Sequence, residues 1–123
     1  MDIIISNSSN TPIYEQICEQ IKALILTGEL KEGDALPSMR NLAQQLRISI
    51  ITTKRAYEEL ERDGFIESYT GKGSFVKAQN QEFLREENLR QAEEHLTLAC
   101  EKAKQGGVEL PELIEIMKLI YGG

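Results

Sequence analysis

LPSMRNLAQQLRISIITTKRAYEEL, residues 36–60, encodes two helices with almost nothing between them. Pro37 forces Leu36 into extended backbone, so Ser38 stands at a helix start with its hydroxyl free to cap. Leu42, Ala43 and Leu46 then fall on one inward face. After only Arg47 and Ile48, Ser49 is placed to cap a second helix. The β-branched run Ile50, Ile51, Thr52 and Thr53 reads alone as strand, yet KRAYEEL behind it consists of good helix formers. With the serine cap in front, the segment is read as a helix that runs to Asp63 and stops at Gly64. Two helices joined by so short a connection cannot lie side by side over their full length and must cross steeply, which is the helix-turn-helix arrangement.

The flanks extend this frame. Upstream, TPIYEQICEQIKALILTGEL begins with Thr11 as an expected N-cap, Pro12 at the first helical position and Gly28 at the far end. Ile13, Ile17, Ile21, Leu24 and Ile25 recur at helical spacing and predict an amphipathic helix. The arm before it, residues 1–10, holds one apolar run, IIIS, which is either a small edge strand or an unstructured lead. Gly33 and Asp34 make a turn. Downstream, FIESY and SFVKA alternate apolar and polar residues on either side of TGKG, a β-hairpin pattern. Helix, helix, helix, hairpin is the order of a winged helix-turn-helix.

Beyond the hairpin a long helical pattern runs from Gln79 to about Gln105, with Leu89, Ala92, Leu96, Ala99 and Ala103 in steps of three and four. Gly106 and Gly107 end it, and Pro111 starts a last short helix carrying Leu113, Ile114, Ile116, Met117 and Ile120. Stripes of this kind need a partner surface. Homodimerisation through Leu89, Ala92, Leu96, Ala99, Ala103, Leu113, Ile116, Met117 and Ile120 is therefore expected, in preference to an intramolecular hairpin. The fold class expected is mainly α with a small β-hairpin wing (α+β), with a winged helix-turn-helix head over residues 1–77 and a two-helix dimerisation tail over residues 78–123.

Composition bounds the function. A chain of 123 residues with 41% apolar content buries one modest core and leaves catalytic machinery cramped. No apolar run approaches the roughly twenty residues of a membrane span, and MDIIISNSSN lacks the pattern of a signal peptide, so a cytoplasmic, non-membrane protein is expected. Cys18 and Cys100 are far apart and have no CxxC or Cys/His companions, which argues against a disulfide or a zinc site. His95, the only histidine, lies beside Glu93 and Glu94 and builds neither a metal site nor a triad. No nucleophile and base pair stands at a recognisable spacing, and TGKG sits in a hairpin where it cradles no phosphate. The expectation is a non-enzyme without cofactor.

Charge is distributed unevenly. The net charge of −6 opposes a nucleic-acid partner. Yet from Ala35 to Tyr57 there is no acidic residue, while Arg40, Arg47, Lys54 and Arg55 are all basic; from Ala78 onward nine Glu face five Lys or Arg. A basic patch is set within an acidic protein. On the helix that follows Ser49, Ala56 and Leu60 share one side with Thr52 and Thr53, whereas Ile51, Lys54 and Glu58 point the opposite way with Ile50 and Arg55 flanking. Two isoleucines at an exposed helix start have no stabilising reason to be there.

GELKEGDALPSMRNLAQQL, the Ser-capped helix and DGFIESYTGKGSFV together resemble the DNA-binding domain of the GntR family of bacterial transcription regulators. The resemblance runs from about Pro12 to Val76 and combines an LPS-x-R-x-LA stretch with a G-x-G-x-F-V wing. The short tail is similar to that of the YtrA subfamily. What the resemblance implies falls on particular residues. Arg40 would reach a guanine edge or a phosphate, with Ser38 and Arg47 on the same DNA-binding surface. Ser49 and Thr52 would hold phosphates at the positive end of the helix. Lys54 would read the major groove and Arg55 the backbone, while Thr70, Gly71, Lys72 and Gly73 would bring the wing to the minor groove. Ile50 departs from the pattern, because many family members carry Arg or another polar residue there. Ile50 and Ile51 either contact thymine methyls, favouring an operator rich in A·T, or pack against a neighbouring element or the partner subunit.

The implied partners are operator DNA and a second copy of the chain, and a small-molecule effector, if the protein takes one, would enter between head and tail. The implied role is a homodimeric repressor acting on an inverted repeat near its own operon, with transporter genes as neighbours. The competing reading is a winged-helix module for a protein partner, without a specific DNA target.

Overall fold

Five helices and one hairpin form in the expected order in a computed structural model that describes residues 1–123. They are α1 (Ile13–Leu26), α2 (Met39–Leu46), α3 (Ile50–Arg62), β1 (Ile66–Tyr69), β2 (Gly73–Val76), α4 (Gln81–Gln105) and α5 (Leu110–Gly122). Both predicted serine caps are present. The Ser38 hydroxyl accepts from the Asn41 N–H at 3.1 Å, and that of Ser49 from the Thr52 N–H at 3.0 Å. Between the two helices the chain turns at Arg47, whose φ of 56° and ψ of 47° make it the one non-glycine residue in left-handed backbone.

α3 is the centre of the head, packed against α1, α2 and β1. Its Thr53, Ala56, Tyr57 and Leu60 are almost completely buried, together with Ile17 and Ile21 of α1, Leu42 of α2, Phe65 and Ile66. The polar atoms carried inside are all paired. Tyr57 donates its hydroxyl to the Pro37 carbonyl at 2.7 Å, and Thr53 donates to the Ser49 carbonyl at 3.2 Å. Burial pushes the Tyr57 phenol above its usual range. The buried Cys18 thiol donates to the Ala56 carbonyl at 3.3 Å, and desolvation pushes its pKa up to about 11.

The hairpin is antiparallel, with Ile66 opposite Val76 and Tyr69 opposite Gly73. A third short segment, not foreseen from the sequence, lies along its outer edge: Ala35 bridges to Phe75, the Leu36 N–H bonds to the Ser74 carbonyl, and the Val76 N–H bonds to the Asp34 carbonyl. The extended backbone that Pro37 imposes on Leu36 is used here as a strand. It ties the wing to the residues that start α2.

Two expectations about the first helix are corrected. Pro12 is the N-cap position and lies outside the helix, and no side chain caps the end, so Thr11 does not act as the cap. The Thr11 carbonyl is taken by the Gln16 side chain, which reaches back five residues at 2.9 Å. The arm before the helix is neither a strand nor a loose lead. Gln20 accepts from the Ile4 N–H at 2.9 Å and donates to the Ile4 carbonyl at 2.7 Å. Gln16 does the same for Ser6 at 2.9 and 3.0 Å. Alternate residues of an extended chain repeat about every 6.8 Å and residues one turn apart on a helix about every 6 Å, so two glutamines four apart match the arm as an adjacent strand would. Ile3, next to the clasped residues in sequence, is buried.

The chain divides into two compact units, Met1–Gln81 and Glu82–Gly123. In the second, α4 ends at Gly106 and Gly107, and the Val108 N–H closes the turn on the Ala103 carbonyl at 2.8 Å. α5 then leaves without packing along α4. Ala103 is the only buried residue of this unit, and α5 buries none of its own. It contains no intramolecular hairpin core.

Two outcomes follow from the head's core. Tyr57→Phe, which leaves the Pro37 carbonyl unpaired, should lower stability by about 1–3 kcal/mol in urea unfolding; an unchanged midpoint would mean that this bond contributes nothing. A thiol-specific maleimide at mildly alkaline pH should label one cysteine per folded chain, the exposed Cys100, and both only after unfolding. Fast labelling of Cys18 in the native state would contradict its burial.

Candidate nucleic-acid interface

The first turn of α3 is assembled by its own cap. Ser49 accepts the Thr52 N–H while its hydroxyl lies 2.8 Å from the Thr52 hydroxyl, so the two oxygens sit together at the positive end of a helix of 13 residues. Thr53 turns inward, which pins the rotation of the helix about its axis. That rotation leaves Ile51 80% exposed and Ile50 49% exposed. Ile51 thus stands almost wholly in solvent, and about half of Ile50 is open.

The basic residues differ in how free they are. Arg40 on α2 and Arg47 at the turn are exposed, and neither pairs with a carboxylate. Lys54 is exposed and lies 3.9 Å from Glu58, a loose contact one helical turn away that screening leaves worth little. Arg55 is turned towards α1, its guanidinium carbon 3.8 Å from the centre of the Tyr14 ring. Sequence reasoning missed Tyr14, because its only signal was an aromatic residue in the first turn of a helix 41 positions away.

At the wing, Thr70, Gly71, Lys72 and Gly73 are exposed, and the Lys72 N–H closes the turn on the Tyr69 carbonyl at 2.9 Å. Gly71 and Gly73 have φ of 75° and 102°. These glycines are demanded first by backbone conformation, whatever the wing approaches. Tyr69 is half exposed, with its ring centre 6.2 Å from that of Phe75.

The carboxylates gather elsewhere. A groove of about 220 Å³ between α1 and α3 is lined by Tyr14, Glu15, Cys18, Glu19, Lys22, Glu59 and Asp63, with Lys22 paired to Asp63 at 3.0 Å. The head thus has cations about the start of α3 and acids further along it. No three His, Cys, Asp or Glu side chains converge to hold a metal ion. Of the residues expected to pair two copies, Ala103 is buried within its own chain and Leu113 is partly covered. Leu89, Ala92, Leu96, Ala99, Ile116, Met117 and Ile120 are open to solvent, as are Leu110, Leu119 and Tyr121 beside them.

Comparison with known proteins agrees with this geometry. The model of the family described as bacterial regulatory proteins, gntR family, matches residues 13–76. The chain is 42% identical over 118 residues to the HTH-type transcriptional repressor YtrA of Bacillus subtilis (strain 168), covering 96% of this chain and 91% of that one. The crystal structure of a transcriptional regulator from Oenococcus oeni superposes with a TM-score of 0.77 at 28% identity, covering 95% of this chain and 97% of the other. The DNA-binding domain of AraR, solved in complex with operator ORX1, is similar with a TM-score of 0.55 at 26% identity over 62% of this chain and 95% of that one.

Arg47 offers a stability test of the helix-turn-helix. Left-handed backbone costs a non-glycine residue about 1–2 kcal/mol, and glycine gives back about 0.5–1 kcal/mol through its freer unfolded state. Arg47→Gly should therefore raise stability by about 0.5–1 kcal/mol in urea unfolding. A destabilised glycine variant would mean that the arginine side chain holds the turn.

Proposed function

We propose, from the premise that this chain belongs to the GntR family of bacterial regulatory proteins, that it works as a homodimeric repressor on an inverted-repeat operator near its own operon. The coarser statement is given by the family: the protein is a DNA-binding transcription regulator and not an enzyme. The observation that carries the finer reading is the first turn of α3, where a capped, positive helix end, two exposed isoleucines and Lys54 stand together on a stretch without acidic residues.

In this reading the start of α3 enters the major groove. Ser49 and Thr52 hold a phosphate with the help of the helix dipole. Lys54 exchanges its loose contact with Glu58 for a base edge or phosphate, and Ile50 and Ile51 contact thymine methyls. Arg40 reaches in from α2, with Ser38 and Arg47 beside it on the backbone. Thr70, Gly71, Lys72 and Gly73 lie along the minor groove. Such a regulator acts in the cytoplasm; no helix is long and apolar enough to cross a membrane.

Dimerisation is supported by what the tail lacks. Two helices that bury one alanine between them do not stabilise themselves, and the exposed apolar residues of α5 offer a continuous arc to a second copy. A twofold assembly also suits an inverted repeat, whose half-sites lie about 34–36 Å apart when one helical turn separates them. The repressor role follows the relative named a repressor, and a transporter operon is the proposed target because of the short tail's likeness to the YtrA subfamily.

Footprinting the full chain on DNA from upstream of its gene should reveal a protected inverted repeat, and an unprotected region would sink autoregulation. Arg40→Ala and Lys54→Ala should each weaken that complex by about 1–3 kcal/mol, while Ile50→Arg should change which bases are preferred. Unaltered affinity in the first two variants would remove the residue assignment. In sedimentation, Met117→Glu should convert dimer to monomer; a wild-type chain that is already monomeric would remove the dimer.

A further inference from the structure

We propose that Tyr14 is a positioning residue for DNA binding: its ring holds the Arg55 guanidinium flat, so that the outer edge of the arginine meets a backbone phosphate at the rim of the major groove. This rests on the reading of α3 as the groove-entering helix.

Three contacts give the direction of α1 against α3. Tyr14 lies against Arg55, the Cys18 thiol donates to the Ala56 carbonyl, and Lys22 pairs with Asp63. Later residues of α1 meet later residues of α3, so the two helices run the same way and both begin at the same end of the head. Arg55 is five residues beyond Ile50, hence about 7.5 Å above the start of α3. The major groove is about 8.5 Å deep, so a helix that enters obliquely, with Ser49 against one backbone and Ile50 and Ile51 over base edges, carries Arg55 up towards the phosphates of the rim.

The chemistry around Arg55 keeps it available. Two carboxylates stand nearby and each has another donor: Glu15 accepts from the Tyr14 hydroxyl at 3.2 Å, and Glu59 is engaged by Arg62. The Arg55 side chain forms no ion pair and donates no hydrogen bond within the chain. With its carbon 3.8 Å from the ring centre, the guanidinium is covered on one side by Tyr14, and its N–H groups are unspent within the chain. A planar fork with its edge open suits a phosphate, and holding it in place removes side-chain freedom that binding would otherwise have to remove. Lysine keeps the charge and can sit over a ring, as Lys22 does over Phe65 at 5.2 Å, but it has no flat face to stack and no fork to present.

The test uses the full chain, with affinity measured across a salt series on two duplexes of equal length, one from upstream of the gene and one of random sequence. Arg55→Gln should weaken both complexes by about tenfold and lower the salt slope by about one. Tyr14→Leu should weaken both by about threefold to tenfold without altering the preference between them, whereas Tyr14→Phe, which keeps the ring, should stay within about twofold. In an Arg55→Gln background Tyr14→Leu should cost nothing further. Equal losses from Tyr14→Leu in both backgrounds, or a Tyr14→Phe as weak as Tyr14→Leu, would overturn the proposal. Should Tyr14→Leu fail to fold by circular dichroism, Arg55→Lys decides: a loss comparable to Arg55→Gln supports the stack, and wild-type binding refutes it. Wild-type protein that does not prefer the upstream duplex refutes the autoregulatory reading, and the random duplex still tests Tyr14.

Discussion

Burial of Thr53, Ala56, Tyr57 and Leu60 along one side of α3 fixes where the other side points. A helix has only one rotation about its own axis, and here it is set by that buried side and by the Tyr57 hydroxyl, which donates to the Pro37 carbonyl just before α2. The Thr53 hydroxyl is satisfied within α3, on the carbonyl of its own cap Ser49. Tyr57 therefore both fills the core and ties the two helices of the helix-turn-helix together, and the exposed face inherits its aim from the buried one. A polar group inside the head is costly unless paired, so the geometry has little freedom to relax. Rigidity of this kind is what a surface needs to present isolated side chains to a rigid partner such as a duplex.

The two units divide the energetic work unequally. Met1–Gln81 has a core of its own, with α3 at its centre, whereas Glu82–Gly123 consists of helices that bury one residue between them. In the proposed dimer such a segment gains its stability through association, and its order is then tied to protein concentration. Ion pairs on α4, where Arg90 contacts Glu87 at 3.1 Å and Glu94 at 2.6 Å, support the helix locally without supplying a core.

What was legible in the sequence was local. Ser38, Ser49, Gly64 and the glycines of the wing announce their roles within four residues of where they act, and the elements they bound appear where expected. What was missed depends on pairs distant along the chain or on side chains that imitate backbone. The start of α1 differs from the expectation because the first helical bond, from the Gln16 N–H, goes to the Pro12 carbonyl, while the Gln16 side chain takes the Thr11 carbonyl that a cap would have given to the helix backbone. The segment around Ala35 becomes strand only because Phe75 stands beside it. The stack of Tyr14 on Arg55 exists only once α1 and α3 are parallel. On the tail, spacing identified an apolar stripe on α4 but carried no information on whether α5 would cover it, and α5 does not.

The arm clasped by Gln16 and Gln20 has a consequence for how this protein can change. Both glutamines grip main-chain N–H and carbonyl groups at Ile4 and Ser6 and no side chain of either residue. A grip of that kind is blind to which amino acids pass through it. Apart from the buried Ile3, the first residues are free to drift in sequence while keeping their path along α1, and the constraint falls on two helix positions in their place. Among relatives, variation in the arm would then tell little about its conformation, and a joint loss of the two glutamines would tell a great deal.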